Sequence, residues 1–238
     1  MDENNGLIVK INELLLSKYG IPDRAVIPPN PLDLLIATIL SQNTNDNNSY
    51  KAYNNIKSYF NNWKEILDVS DAELCEFIKP AGLCKQKTIA IKSILGYLYE
   101  NYKNVSLDYL NTHSNDEIIT ILTAQKGIGV KTASCVLLFA LLRNVCPVDT
   151  HVHRIINRLN IIKTKNPEES FYKLNTNFPK NIAHQFHTNL IKLGRNLCRP
   201  KNPKCNQCPL IEHCFFSGKD YSTNNNADFR EFLLLDNI

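Results

Sequence analysis

No stretch of this 238-residue sequence approaches the ~20 consecutive apolar residues that a membrane-spanning helix requires. Its first residues, Met1-Asp2-Glu3-Asn4-Asn5, supply neither the basic n-region nor the apolar h-region of a secretory leader. The expectation is a protein of the reducing cell interior, cytoplasmic at the nucleoid or nuclear, with no membrane partner. No segment alternates apolar and polar residues cleanly enough to be a strand, so the chain reads as all-α. Internal repeats are absent too. An excess of charge of one sign is nearly missing: 27 Lys and Arg stand against 23 Asp and Glu, net +4, which permits nucleic-acid binding without demanding it. Apolar residues make up 43% of the chain, enough to bury a real core. Eight cysteines in a reducing compartment argue for metal binding or buried thiols before disulfides.

Helical periodicity runs through most of the chain. Ile8, Ile11, Leu14 and Leu15 mark a first helix closed by Gly20, and Leu32 to Leu40 a second behind Pro31. Ser70-Asp71-Ala72-Glu73 is a capping box opening a third, and Lys87 to Tyr99 carries Ile89, Ile91, Ile94, Leu95 and Leu98. Helices are expected near Glu168 to Asn177 and from about Asn181 to Arg195, with Gly194 close to the end of the latter. Beyond the polar linker Ser222-Thr223-Asn224-Asn225-Asn226, Phe229, Phe232 and Leu233 predict a short helix from about Ala227 to Leu235.

The chain is organised around Ser114 to Arg158. Ser114 and Glu117 form a second capping box opening a helix that stops near Gly127. Gly127-Ile128-Gly129 allows a tight turn with exposed backbone N–H groups, and a helix rich in apolar residues follows from Ala133 to Leu142. Helix, hairpin, helix is a shape suited to gripping a DNA phosphate by backbone N–H groups. Lys131 lies in the first turn of that second helix, where the dipole opposes a cation. It reads either as a phosphate contact or as an amine with a pKa pulled below its usual ~10.4, able to act as a nucleophile. Asp149 precedes the stripe Val152, Ile155, Ile156 and Leu159 and stands where an N-cap belongs.

Near the C-terminus, Cys198-x6-Cys205-x2-Cys208-x5-Cys214 gathers four cysteines in one short loop. Four thiolates can tie down a loop that has no core of its own, and by chemistry alone both Zn²⁺ and a [4Fe–4S] cluster are admissible. Arg199, Lys201 and Lys204 fall between the first two cysteines and present positive charge to a phosphate backbone, unless they serve only solubility. Cys75, Cys84, Cys135 and Cys146 have no such spacing and read as small buried residues.

Two of these stretches, Lys126-Gly127-Ile128-Gly129-Val130-Lys131-Thr132-Ala133 and Pro147-Val148-Asp149-Thr150-His151-Val152, resemble the endonuclease III family of helix-hairpin-helix DNA glycosylases, as does the four-cysteine spacing. The resemblance implies that Lys131 is the catalytic lysine, Asp149 the catalytic aspartate, and the four cysteines the ligands of a [4Fe–4S] cluster. Gln42, in Leu40-Ser41-Gln42-Asn43-Thr44, matches the glutamine that fills the gap left by an extruded base, where an amide can both donate and accept hydrogen bonds. Leu83, at the glycine turn Ala81-Gly82-Leu83-Cys84, matches the wedge residue, and an exposed leucine there can insert between base steps. The bland alternatives are turn and cap residues for the first and a core leucine for the second. Gln125-Lys126 stands where the family has Leu-Pro, so Lys126 is expected to add a phosphate contact beside Gly127, Ile128 and Gly129.

The implied fold is all-α and two-lobed: residues 23–143 as a helical bundle with the hairpin, residues 1–22 and 144–217 as a cluster-bearing lobe, and residues 218–238 as linker and tail. Lys131 and Asp149 are expected to face each other across the cleft between the lobes. The implied activity is base excision from duplex DNA carrying a damaged base, with oxidised pyrimidines the family's habit, or an abasic site. It would proceed through a lysine Schiff base and strand nicking by β-elimination, in a monomer. Monofunctional mismatch glycosylases of the same fold are disfavoured, because the adenine-mismatch type has a glutamate where Ala37 stands and the thymine-mismatch type a tyrosine in place of Lys131. A non-enzymatic, cluster-bearing DNA-binding module would leave Lys131 and Asp149 unexplained.

Overall fold

The structure, a computed structural model, describes residues 3–222, so the expected tail helix lies outside the described residues. Among those residues there are α-helices, short 3-10 turns and one π-helical turn, and no strands. In chain order the helices are α1 (Glu3–Tyr19), α2 (Pro31–Ser41), α3 (Asp46–Tyr59), α4 (Asp71–Ile78), α5 (Cys84–Tyr102), α6 (Asn115–Thr123), α7 (Val130–Cys135), α8 (Thr150–Arg158), α9 (Pro167–Asn175) and α10 (Ala183–Asn196). They form two compact units, residues 25–143 and residues 3–24 with 144–222.

The first unit is built on α2. Asn30 Oδ1 accepts from the Leu32 amide at 2.9 Å and Pro31 occupies the first helical position, so the start is capped. Every residue from Pro31 to Leu40 except Asp33 is buried. A helix apolar on all sides belongs in a core, and α3, α5 and α7 pack around this one. The capping box of α6 closes in both directions: Glu117 accepts from the Ser114 amide at 2.7 Å and Ser114 Oγ from the Glu117 amide at 3.3 Å. The helix after the hairpin differs from its expected extent. It begins at Val130 and passes into a π-helical turn, Val136–Ala140, in which Leu141 donates its amide to Val136 O at 3.0 Å, and Arg143 then donates to Leu137 O at 2.8 Å.

The second unit packs α1 on α10, α10 on α8 and α8 on α9, with Ile8, Ile11 and Leu15 of α1 buried. Gly20, at φ 74°, ends α1 as expected. Gly194 lies close to the end of α10, as expected. It lies inside the last turn of α10, and a Cβ there would meet His151 Cβ at 2.7 Å, so its role is close helix packing rather than termination.

The cysteines need one correction. Cys135 and Cys146 are buried, as expected, but Cys75 and Cys84 are only half-buried and are joined in a disulfide between α4 and α5. The reading of this pair as buried thiols fails because the turn at Lys79–Gly82 folds the two helix ends back on each other.

Candidate active site and nucleic-acid interface

The hairpin between α6 and α7 takes its shape from α5. Gly127 has φ 83°, a backbone that favours glycine, and a Cβ there would lie 2.7 Å from Ala90 Cβ. Ile128 is buried and donates its amide to Gln125 O at 3.1 Å, so its side chain anchors the turn from within. Lys126, Gly127 and Gly129 are exposed. Where proline would offer no N–H, Lys126 has one, and Ser93 Oγ of α5 accepts it at 3.3 Å. The Gln125-Lys126 pair is therefore accommodated by a side chain of the neighbouring helix.

Lys131 is the second residue of α7, half-buried, directly behind the turn. Its neighbour Thr132 is buried and takes part in the same region through Oγ1. Asp149 caps α8: Oδ1 accepts from the amides of His151 and Val152, both at 2.8 Å. One carboxylate oxygen does all the capping, so the cap does not use Oδ2. His151 follows it, and burial holds the imidazole below its usual range while the Asp149 carboxylate raises it in part.

Gln42 ends α2, and its side-chain amide donates to Thr132 Oγ1 at 3.2 Å and to Gly127 O at 3.4 Å. It is thus tied to the hairpin. Leu83 sits at a turn tip with left-handed backbone, φ 50°, and is 48% exposed, which removes the core-leucine alternative. Between these two loops lies a residue that sequence reasoning did not single out. Lys87 of α5 is only 2% exposed, and its Nζ donates to Leu40 O and Ala81 O, each at 2.8 Å. Burial pushes its pKa down to about 8.

In the second unit, Cys205 is buried and Cys198, Cys208 and Cys214 are half-buried, all four as free thiols. No three His, Cys, Asp or Glu side chains among the described residues converge tightly enough for a single ion, yet the four cysteines are near enough to feel one another. Burial pushes the Cys208 thiol up to about 11, the Leu210 amide lowers it, and the other three sulfurs raise it. Two arginines of α8, also missed in the sequence, organise the loop. Arg158 donates to Cys198 Sγ at 3.3 Å and to Arg199 O at 3.0 Å, with its guanidinium 3.7 Å from the Phe216 ring centroid. Arg154 Nε donates to Cys198 O at 2.9 Å. Their spacing of four residues, which puts both on one face of α8, is the signal that could have revealed them. Lys201 is exposed, and Arg199 and Lys204 are half-buried. Tyr19, at the end of α1, has a buried hydroxyl with no protein partner. Burial raises its pKa, and so, in smaller part, do Cys208 and Cys198.

A helix-hairpin-helix bearing a lysine behind the turn, in an all-α chain with a four-cysteine loop, defines a class of DNA-directed proteins. Residues 36–180 match the family described as HhH-GPD superfamily base excision DNA repair protein, and the chain belongs to that family. Endonuclease III of Thermotoga maritima is 34% identical over 187 residues, covering 79% of this chain and 84% of that one. A putative DNA repair glycosylase of Methanocaldococcus jannaschii, MJ1434, is 30% identical over 223 residues, 90% of this chain and 99% of that one. Among solved structures, a trapped endonuclease III–DNA covalent intermediate superposes with a TM-score of 0.74 at 26% identity, covering 88% of this chain and 95% of that one. A non-covalent endonuclease III–DNA complex gives 0.73 at 25%, covering 88% and 94%.

Proposed function

We propose that this base-excision DNA glycosylase and AP lyase works through Lys131. The neutral Nζ attacks C1′ of the damaged nucleotide; the C1′–N bond to the lysine forms as the bond to the base breaks, and the base departs with the electron pair and takes up a proton. The C1′–O4′ bond then breaks and opens the sugar ring as a proton leaves Nζ and one is taken up by O4′, which gives a protonated Schiff base. Removal of a 2′ proton then expels the 3′ phosphate as the C3′–O bond breaks, and the strand is nicked. Asp149 accepts the proton from the lysine or balances the positive charge on the sugar. Its cap needs Oδ1 alone, so the second oxygen is compatible with that role.

Duplex DNA is held by its phosphates at the turn of Lys126, Gly127 and Gly129, with Ile128 shaping the turn, and at Arg199, Lys201 and Lys204 of the cysteine loop. Gln42 fills the space of the extruded base and Leu83 wedges the stack. Oxidised pyrimidines are the lesion class this reading favours. Ala37, buried in α2 where the adenine-mismatch enzymes carry glutamate, and lysine at 131 both favour the bifunctional chemistry over a mismatch enzyme.

Cys198, Cys205, Cys208 and Cys214 fit a [4Fe–4S] cluster. The Arg158 guanidinium and the Leu210 amide already donate to two of the sulfurs, and the Tyr19 hydroxyl beside them is a buried donor without a protein acceptor. The cluster supplies a cross-link that fixes a loop poor in apolar residues.

The observation carrying this reading is the position of Lys131 directly behind the Gly127–Gly129 turn in a chain of this family. It is tested by base release and strand nicking on duplexes bearing oxidised pyrimidines, other lesions or an abasic site. Wild-type protein should release a base and nick, and Lys131→Gln should do neither. Base release without nicking, or nicking that survives the substitution, would overturn it.

A further inference from the structure

Three elements of the unit formed by residues 25–143 bear on DNA in the reading above: the Gln42 loop, the Leu83 tip and the hairpin. All three meet α5. Ala90 packs under Gly127, and Ser93 accepts from the Lys126 amide. One turn earlier, Lys87 reaches the other two. Its backbone amide donates to Leu83 O at 3.1 Å, and its Nζ to Ala81 O at 2.8 Å, two residues before the tip. The same Nζ donates at 2.8 Å to Leu40 O, two residues before Gln42.

We infer that Lys87 is a positioning residue that fastens the Gln42 loop and the Leu83 tip to each other, so that gap filling and wedge insertion occur as one concerted event on duplex DNA. This rests on the proposed roles of Gln42 and Leu83. The physical argument begins with cost. An ammonium only 2% exposed has lost its hydration, and a methionine of similar length would fill the same volume without that penalty. What methionine cannot do is bind two carbonyls at once. Leu40 O belongs to the last turn of α2, where carbonyls lack helical donors and the dipole is negative, so a cation there is favoured. Ala81 is the last residue of the 3-10 turn Lys79–Ala81, which Gly82 closes by donating its amide to Lys79 O at 3.0 Å and which presents Gly82 and Leu83. Because both oxygens lie 2.8 Å from one nitrogen, they are no farther apart than twice that distance, and the two loops share a single anchor. Gln42 in turn donates to Gly127 O and Thr132 Oγ1, carrying the same constraint to the hairpin.

The test compares nicking of an abasic site in a duplex, which requires the stack to be opened, with nicking of the same site in single-stranded DNA, which does not. Lys87→Met should lower the duplex-to-single-strand ratio of kcat/KM at least tenfold. It should also shrink the duplex cost of Leu83→Ala when that change is made in its background, because the wedge is then no longer coupled to the gap filler. Lys87→Gln, which keeps an amide donor, should recover part of the ratio, and it carries the comparison if Lys87→Met does not fold. An unchanged ratio, including an equal loss on both substrates, overturns the inference. The underlying reading fails differently: wild-type protein would nick neither substrate, or Gln42→Ala and Leu83→Ala in the wild-type background would leave duplex nicking untouched.

Discussion

Replacing Gly127 by alanine attacks the hairpin at the point where two constraints meet. The backbone at φ 83° disfavours any residue with a Cβ, at about 1–2 kcal/mol. The added methyl would also stand 2.7 Å from Ala90 Cβ of α5, and overpacking of this kind costs about 1–3 kcal/mol. Gly127→Ala should therefore destabilise the protein by about 2–5 kcal/mol, a large part of the ~5–15 kcal/mol by which folded proteins are stable. Duplex affinity should fall as well, since the turn must move off α5. Ala90→Gly separates the two causes. Alone it costs about 1 kcal/mol as a glycine in a helix; combined with Gly127→Ala it removes the steric part and leaves the backbone part. The double variant should then be more stable than the sum of the single effects implies, by about 1–3 kcal/mol. Denaturant unfolding and fluorescence anisotropy with a labelled duplex measure both effects. Additive single effects, or a Gly127→Ala protein as stable and as tightly bound to DNA as wild type, would refute the contact with Ala90 as the source of the hairpin's shape.

Asp149→Asn keeps an oxygen for the two capping bonds, so stability should change by less than about 0.5 kcal/mol while base removal falls ~10²-fold or more; Asp149→Ala should in addition lose about 1 kcal/mol. Protein purified without oxygen should be brown, absorbing near ~400 nm, and Cys205→Ser or Cys208→Ser should lose the colour and weaken DNA binding; zinc with no iron would contradict this. The Cys75–Cys84 bridge spans a sequence separation of 9, so reducing it should cost about 2–3 kcal/mol, a sensitivity that Cys75→Ser abolishes in unfolding with and without dithiothreitol. Burial lowers the pKa of Lys87 from 10.5 to about 8, so between those values the unfolded chain holds a proton that the folded chain does not. The stability of wild type relative to Lys87→Met should therefore rise as pH climbs from about 8 to 10.5, and a flat difference would contradict that environment.

What could be read from the sequence was local. Ser114 with Glu117, Pro31 at the start of α2, and Gly20 after α1 declare helix ends within a few residues, and Asp149 declares its cap in the same way. What could not be read depends on residues brought together from afar. Gly194 reads locally only as a glycine near the end of α10, and nothing nearby says that His151, more than forty positions earlier, packs against it. Cys75 and Cys84 lack a metal-binding spacing, and only the turn at Lys79–Gly82 makes them partners. Lys87 looked like one more polar residue at the start of an amphipathic helix, because both of its acceptors are backbone carbonyls, which leave no trace in side-chain patterning. Arg154 and Arg158 share one face of α8 by their spacing, but that their targets are Cys198 and the backbone of the cysteine loop, some forty positions later, is visible only in the fold.

The central claim is that Lys131 is the nucleophile, and borohydride trapping tests it most directly. With duplex DNA carrying an abasic site, wild-type protein should give a covalent protein–DNA complex that survives denaturation. Lys131→Gln should give none while retaining most of its duplex affinity, because the hairpin amides and the other basic residues still hold the phosphates. Wild-type protein that binds damaged duplex yet never traps or nicks it would reduce Lys131 to a phosphate contact and contradict the account.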